Sequence, residues 1–358
     1  MENKKIRVAI THGDTNGIGY EIILKAFEDS GMLDLCTPII YGNPKIATYQ
    51  RNALQLETPF TIISKAEDAH PDKLNLLTTF DDEVKIEFGK PTPESAEAAR
   101  KALQRAKEDL KNGLYDVLVQ APVVSSRTPD LDEKSLLIMF ADDIRIALAT
   151  NHLPIKDVAK SITADKIVEK CRLLHTALKR DFRINNPRIA VLALNPQLGA
   201  EEENSITPAL QTVEEAGIQA YGPYTADDFF GNGLQNNFDG ILAMYDDQGN
   251  VPFKTLAREY GVKMKTGFPF VITTPDQDPC FDIAGKGIAD PASLRHAIYA
   301  AIDIFRNRLN YDEPMANPLP KLYHEKREDG DKARFAVKAK DLFKREDKAT
   351  QDDKTENE

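Results

Sequence analysis

Short apolar runs recur along the chain, each breaking into a turn and then into an amphipathic stretch, and this alternation restricts the possible folds more than any other feature. Ile6-Arg7-Val8-Ala9-Ile10-Thr11 reads as a strand by its β-branched content. His12-Gly13-Asp14-Thr15-Asn16-Gly17-Ile18-Gly19 is a turn, and residues 20–28 form a predicted helix with Ile22, Ile23 and Phe27 on one face. The pattern repeats with a strand at 36–41 and a helix at 44–54, and then with short strands and loops over 58–88. A helix follows at 93–112, with Ala96, Ala99, Leu103, Ala106 and Leu110 in a stripe, and a strand at 116–120. Residues 135–140 and 144–150 pair as a hairpin around Asp142-Asp143. Further on come helices at 163–182 (opened by the N-cap residue Thr163), 205–216 and 291–309, with a strand at 188–194. The prediction is an α/β fold with a largely parallel core sheet.

The densest chemistry lies in residues 240–290. Ile241-Leu242-Ala243-Met244-Tyr245 breaks into Asp246-Asp247-Gln248-Gly249, and Lys254 follows. A second apolar stretch, Gly267-Phe268-Pro269-Phe270-Val271-Ile272, precedes Asp282-Ile283-Ala284-Gly285-Lys286-Gly287-Ile288-Ala289-Asp290. A buried strand ending in polar residues delivers side chains to a cleft at its carboxyl end. Glycines after it suit backbone that approaches a ligand closely. The other reading is a strand, a solvated turn and a second strand.

The turn between the first strand and helix is a possible anion site, since the first helical N–H groups lack intrahelical partners. Its glycine spacing is not G-x-G-x-x-G, so it carries no dinucleotide fingerprint. A tight turn that merely opens a βα unit is the alternative.

A net charge of -11 argues against non-specific nucleic-acid binding, which needs clustered cations. Cys36, Cys171 and Cys280 are too widely spaced for a metal pattern or a disulfide framework, which suits a reducing cytoplasm. Met1-Glu2-Asn3-Lys4-Lys5 leads into a strand rather than a signal-peptide core, and no apolar run approaches membrane-helix length. Residues 313–358 form a charged tail in which 332–346 is a candidate helix and 347–358 is expected to be disordered.

From about residue 5 to 310 the chain resembles the 4-hydroxythreonine-4-phosphate dehydrogenase family of vitamin B6 synthesis. The resemblance rests on Ile10-Thr11-His12-Gly13 through Gly17-Ile18-Gly19, on Ala149-Thr150-Asn151-His152-Leu153-Pro154 and on Leu194-Asn195-Pro196. It rests also on Ala243-Met244-Tyr245-Asp246-Asp247-Gln248-Gly249 and Asp282-Ile283-Ala284-Gly285-Lys286-Gly287. The last segment is similar to the adenosine-binding loop of isocitrate and isopropylmalate dehydrogenases. The resemblance implies a two-domain fold of that kind, with a cleft at a homodimer interface. The first domain would be 1–118 plus 260–312, and the second 119–259. It implies NAD or NADP as hydride acceptor, a phosphorylated small-molecule substrate, and a divalent metal (Zn, Mg, Co or Mn) for oxidation and decarboxylation.

Carried onto this sequence, the resemblance puts metal ligands at His152, Gln197 and Asp246. Catalytic positions fall at Asp247 and Lys254, substrate contacts at Lys254 and Lys263, and cofactor contacts at Asp276, Asp282, Gly285 and Gly287. The family has histidine where Gln197 and Asp246 stand, asparagine at Lys263 and arginine at Ile272. Its Gly-His-Thr-Glu segment is missing after Pro129. Its Asp-His-Gly-Thr reads Asp276-Gln277-Asp278-Pro279 here. A neutral glutamine oxygen is a weak ligand, so the expectation is weak binding of a hard divalent ion or none, with little or no dehydrogenase activity on 4-hydroxythreonine-4-phosphate. Two function classes follow: an NAD-dependent dehydrogenase of the family, or a family-fold protein that has lost the chemistry and acts as a binding or interaction module.

Overall fold

The computed structural model describes residues 5–81, 83–124, 135–258 and 260–316. In chain order the elements are β1 (Ile6–Thr11), α1 (Gly19–Ala26), α2 (Gly31–Leu35), β2 (Cys36–Gly42), α3 (Pro44–Ala53), β3 (Thr61–Ile63), β4 (Asn75–Thr78), α4 (Pro93–Lys111) and β5 (Val117–Gln120). The middle of the chain gives β6 (Leu136–Ala141), β7 (Ile144–Leu148), α5 (Ile155–Ser161), α6 (Ala164–Arg180), β8 (Arg188–Leu192), α7 (Thr207–Glu215), β9 (Gln219–Tyr224) and α8 (Ala226–Gly231). It closes with β10 (Gly240–Ala243), α9 (Asp246–Ala257), β11 (Val262–Thr266), β12 (Val271–Pro275) and α10 (Ala292–Ala316). Residues up to Asp312 form one compact unit. Among the described residues, no helix is long and apolar enough to cross a membrane. The expected tail helix and disordered end lie outside the described residues.

The α/β expectation holds. The strands form one sheet in the order β3-β4-β2-β1-β5-β12-β11-β6-β7-β10-β8-β9. From β3 to β12 every pairing is parallel, and so is every pairing from β7 to β9. Between these blocks β11 is antiparallel to both β12 and β6, and β6 is antiparallel to β7. The two parallel blocks therefore run in opposite directions. The hairpin predicted around Asp142-Asp143 is the β6–β7 pair, with Asp142 at φ +46.

Local chemistry explains three helix starts. Asn43 accepts hydrogen bonds from the N–H groups of Lys45 and Ile46 and caps α3. Thr92 and Ser95 form a reciprocal capping box on α4, and Thr163 caps α6 as predicted. The buried face of α4 is turned from the expected stripe: Ala98 and Ala102 are inside and Ala96 is not. That rotation takes Asp109 into the interior, where it accepts from the Tyr41 hydroxyl at 2.9 Å and pairs with Arg105.

Three segments differ from the sequence reading. Asp246-Asp247-Gln248-Gly249 is the first turn of α9 rather than a loop. A Cβ at Gly249 would lie 2.5 Å from the Leu148 side chain, so glycine lets α9 sit on β7 and β10. The apolar stretch 267–272 is mostly the β11–β12 turn, and its strand begins only at Val271. The β1–α1 turn is wholly buried, and its amides already have partners: Asp14 N–H donates to Pro122 O, Gly17 N–H to Asp14 O and Ile18 N–H to Pro279 O. It is a packing turn, and little of its backbone remains for an anion.

Candidate active site

The parallel strands β7, β10 and β8 lie side by side and deliver three loops at one end of the sheet. The loops are held in mutual register. Ala149 N–H donates to Ala243 O at 2.8 Å, and the Thr150 hydroxyl donates to Met244 O at 2.7 Å. The Gln248 amide spans the other gap, accepting from Met244 N–H and donating to Ala193 O, both at 2.7 Å. Glu202 is buried and braces the β8 loop through the N–H groups of Leu194, Asn195 and Gly199. Burial alone would raise its pKa, but the hydrogen bonds from Asn195 and Gly199 outweigh that and hold it below the usual carboxylate range.

This framework brings His152 and Asp246 together. The His152 N–H donates to Asp246 Oδ2 at 2.7 Å, and His152 Nδ1 lies 4.0 Å from Asp246 Oδ1. Both residues line a cleft of about 150 Å³ that runs across the sheet where its direction changes. Gln197 sits exposed on the neighbouring β8 loop and is not part of the cleft lining. Asp247 is exposed on the first turn of α9 and lies outside the lining too. Lys254 stands at the rim, 3.8 Å from Asp278 Oδ2.

The opposite wall comes from β5, β12 and β11. Along β11 burial alternates, so Lys263 and Lys265 share one face and both line the cleft. Lys263 Nζ pairs with Asp276 Oδ1 at 2.6 Å, which commits that carboxylate to the wall. Ile272 adds an apolar surface and Thr274 a polar one. Three buried amide atoms of cleft residues, Gln120 Nε2, Asn151 Oδ1 and Gln277 Oε1, have no hydrogen-bond partner among the described residues. Buried polar atoms are normally paired, so three orphans around one cleft mark the place of a polar ligand.

The glycine loop lies apart from this lining. Gly285 has φ +79, and a Cβ there would meet the Phe88 ring at 2.7 Å; Gly287 has φ +69 with open space where its Cβ would point. Asp282 is exposed and Ile288 is 64% exposed. The loop is fixed from α1: Glu21 Oε1 accepts from Ala289 N–H at 2.8 Å, and Lys25 Nζ donates to the carbonyls of Gly287 and Ala289 at 2.9 Å. Glu21 and Lys25 also pair with each other at 2.9 Å. Sequence reading missed both, although their i,i+4 spacing on a helix after a glycine turn was visible. It also missed Gln120, Asn151 and Gln277 as ligand contacts, because a lone amide has no recognisable pattern.

A carboxylate, open glycine backbone and an exposed apolar side chain fit the adenosine end of a dinucleotide. A metal fits less well. Among the described residues no three His, Cys, Asp or Glu side chains cluster, and the chain's own Gln197 does not join His152 and Asp246. Among the described residues, His152 and Asp246 are the two expected ligands that come together.

Residues 34–132 and 125–301 match the family model described as pyridoxal phosphate biosynthetic protein PdxA. A 4-hydroxythreonine-4-phosphate dehydrogenase of Bacteroides thetaiotaomicron is 49% identical over 358 residues, covering 94% of this chain and 98% of that one. Another from a Sulfurihydrogenibium species is 33% identical, over 85% of this chain and 99% of its own length. Among solved structures, the 4-hydroxythreonine-4-phosphate dehydrogenase from Burkholderia phymatum superposes with a TM-score of 0.67. It is 27% identical, and the match covers 84% of this chain and 99% of that one.

Proposed function

Since this chain belongs to the PdxA family of pyridoxal phosphate biosynthetic proteins, we propose that it is a dehydrogenase oxidising 4-hydroxythreonine-4-phosphate with NAD or NADP. The near full-length identity to the Bacteroides relative carries this reading, and nothing in the relatives' names favours an inactive binding protein. The cleft supports it chemically. Asn151 Oδ1 and Gln277 Oε1 are acceptors for a substrate's ammonium and hydroxyl groups, and Gln120 Nε2 is a donor for its carboxylate. Lys263 and Lys265 place positive charge on the same wall, suited to a phosphorylated molecule.

When bound, the nicotinamide accepts the hydride. The chain's own residues bind and orient. The Asp282–Gly287 loop receives the adenosine end, with Lys25 and Glu21 fixing its backbone, and Asp276 holds Lys263 in place at the wall. Lys254 stands at the rim beside Asp278, placed to contact substrate. No step is assigned to a metal, because among the described residues no three His, Cys, Asp or Glu side chains cluster to hold one.

The same reading makes residues 1–118 plus 260–312 and residues 119–259 two domains about the cleft. It makes the protein a cytoplasmic homodimer, in which Gln197 approaches the proposed metal positions of a second copy. Sedimentation at micromolar concentration tests the assembly, and a monomer overturns it. The function is tested by following reduced nicotinamide with 4-hydroxythreonine-4-phosphate, NAD or NADP, and added Mg, Mn, Co or Zn. Turnover near one per second, within the ordinary enzyme range, is the expected result. No turnover with either cofactor under any metal overturns it.

A further inference from the structure

Asp246, Asn250 and Lys254 follow one another at i, i+4 and i+8 on α9 and so share one face of the helix. Asp246 and Asn250 line the cleft, and Lys254 continues the stripe to its rim. The facing wall ends in Thr274, Pro275, Gln277 and Asp278, which line the cleft too. Lys254 Nζ reaches across to Asp278 Oδ2 at 3.8 Å, so an ion pair joins the α9 wall to the β12 wall at the cleft mouth. The resemblance has glycine where this chain has Asp278, and the pair depends on that difference.

The two partners differ in freedom. Asp278 stands on fixed backbone. The next residue, Pro279, is buried, its carbonyl accepts from Ile18 N–H at 3.1 Å, and a Cβ at Gly17 would lie 2.7 Å from that oxygen. The Cys280 carbonyl then accepts from the N–H groups of Ile283 and Ala284, both at 3.1 Å. Lys254 is exposed and carries its ammonium on a flexible four-carbon stem, so it can swing without moving α9. The local charge is lopsided, and Cys280 senses it. Burial raises the pKa of its thiol first, Asp282 and Asp278 raise it further, and Lys254 opposes them. One cation thus faces two carboxylates where the cleft mouth passes into the glycine loop. A phosphate group entering there is repelled by the carboxylates and must compete with Asp278 for the Lys254 ammonium.

We infer that Asp278 is an internal counter-ion: it holds Lys254 across the cleft mouth and surrenders it to the phosphate group of an incoming ligand, so that Asp278 sets how tightly that ligand binds. The pair itself is read from the structure. Its ligand rests on the proposed function, which supplies two sources of phosphate, the monoester of the substrate and the diphosphate of the dinucleotide. Both partners are exposed, so the exchange is a small effect of the size typical of surface pairs, and it weakens with salt.

The test uses the full-length protein, Asp278→Asn, Lys254→Gln and the double variant, with thermal melts verifying that each folds. Inorganic pyrophosphate is the probe for titration calorimetry. Asp278→Asn keeps the shape of the side chain without its charge. It should bind pyrophosphate about two- to fivefold more tightly than wild type at low ionic strength, and the gain should shrink in about 1 M salt. The gain should also vanish on the Lys254→Gln background, whereas a mere loss of negative charge from the mouth would persist there. Kinetics with 4-hydroxythreonine-4-phosphate and NAD then identify the ligand. A matching fall in KM for the phosphorylated substrate assigns the monoester, and a fall in KM for NAD assigns the dinucleotide. Equal affinity in wild type and Asp278→Asn, or the same gain with and without Lys254, overturns the inference, and so does an absence of pyrophosphate binding in all four proteins. Each of these leaves the dehydrogenase reading intact. If the calorimetry behaves as expected but the wild type does not turn over the substrate, the counter-ion stands and the dehydrogenase reading falls.

Discussion

The main-chain N–H of His152, in the loop after β7, is held by the side chain of Asp246, the first residue of α9 and 94 residues away in sequence, at 2.7 Å from Oδ2. His152 has φ +56, a conformation that a non-glycine residue keeps only when its surroundings hold it there. Asp246 is part of that hold. Its carboxylate therefore orients the histidine backbone besides facing the cleft.

Asp246→Asn and Asp246→Ala should separate these two duties. The asparagine oxygen still accepts from His152 N–H, so Asp246→Asn should melt close to wild type while losing the charge that a divalent ion needs. Asp246→Ala also removes the acceptor and should lower stability by about 1–2 kcal/mol, read from urea unfolding. Equal melting of the two variants would show that the hydrogen bond does not hold the loop.

The proposed metal positions make their own prediction. Replacing both Gln197→His and Asp246→His supplies imidazoles at the positions where the resemblance has them, and zinc or cobalt binding by calorimetry should tighten by about tenfold or more. With Gln197 outside its own chain's cleft, the gain should vanish under dilution that dissociates a dimer. Gain without any dimer would show that Gln197 reaches the site within one chain.

His12 sets a limit on acid stability. The ring is fully buried and stacked on Tyr20 at 5.0 Å, and among the described residues neither nitrogen has a side-chain or main-chain partner at full hydrogen-bond geometry. Burial lowers its pKa from 6.5 to about 4, against an opposing influence from the backbone at Gly13 and Ala98. The folded state therefore holds the ring neutral while the unfolded chain takes up a proton below 6.5. The stability from the neutral ring is complete above 6.5. It should fall by about 1.4 kcal/mol per pH unit down to about 4. His12→Phe keeps a ring against Tyr20 and removes this slope. Denaturant unfolding of both proteins between pH 7.5 and 4.5 would show parallel curves if the idea is wrong.

Arg308 and Asp181 form a buried pair, with Nε to Oδ1 at 2.7 Å and Nη2 to Oδ2 at 3.0 Å. Arg308 Nη1 also reaches the carbonyls of Phe268, Pro269 and Phe270 in the β11–β12 turn. Arg308→Met strands a buried carboxylate and three carbonyls, and should destabilise the protein by about 3–5 kcal/mol. Adding Asp181→Asn to it should recover part of the loss. Additive losses in thermal melts would argue that the two residues act separately.

Much of this fold was visible in the sequence because burial periodicity is a local signal. β1, β2, the β6–β7 hairpin and α6 with its Thr163 cap all emerge within a residue or two of their predicted ends. The β11–β12 turn is not legible in the sequence, because Phe268-Pro269-Phe270 is apolar without being a strand. Its carbonyls are satisfied by Arg308, about 40 residues away, and nothing local announces that. The site shows the same division. His152 and Asp246 belong to recognisable segments and do converge, whereas Gln120, Asn151 and Gln277 acquire meaning only when three strands and two loops bring their unpaired atoms to one cleft.

The loop brace gives the last prediction. Lys25 Nζ holds the Gly287 and Ala289 carbonyls, and Glu21 Oε1 holds both Lys25 and the Ala289 N–H. Neither residue belongs to the substrate cleft lining. Lys25→Met frees two carbonyls and leaves Glu21 buried without its cation, so the loop loses its fixed backbone. Cofactor binding should weaken by about tenfold, with KM for the phosphorylated substrate nearly unchanged. Lys25→Arg should restore part of the affinity, since a guanidinium can still donate to two carbonyls. A merely structural role would lower the melting temperature and scale down turnover without shifting the cofactor KM. The measurement is therefore the KM for NAD in Lys25→Met and Lys25→Arg at a temperature where both are folded. An unchanged KM for NAD would mean that the Asp282–Gly287 loop does not receive the dinucleotide.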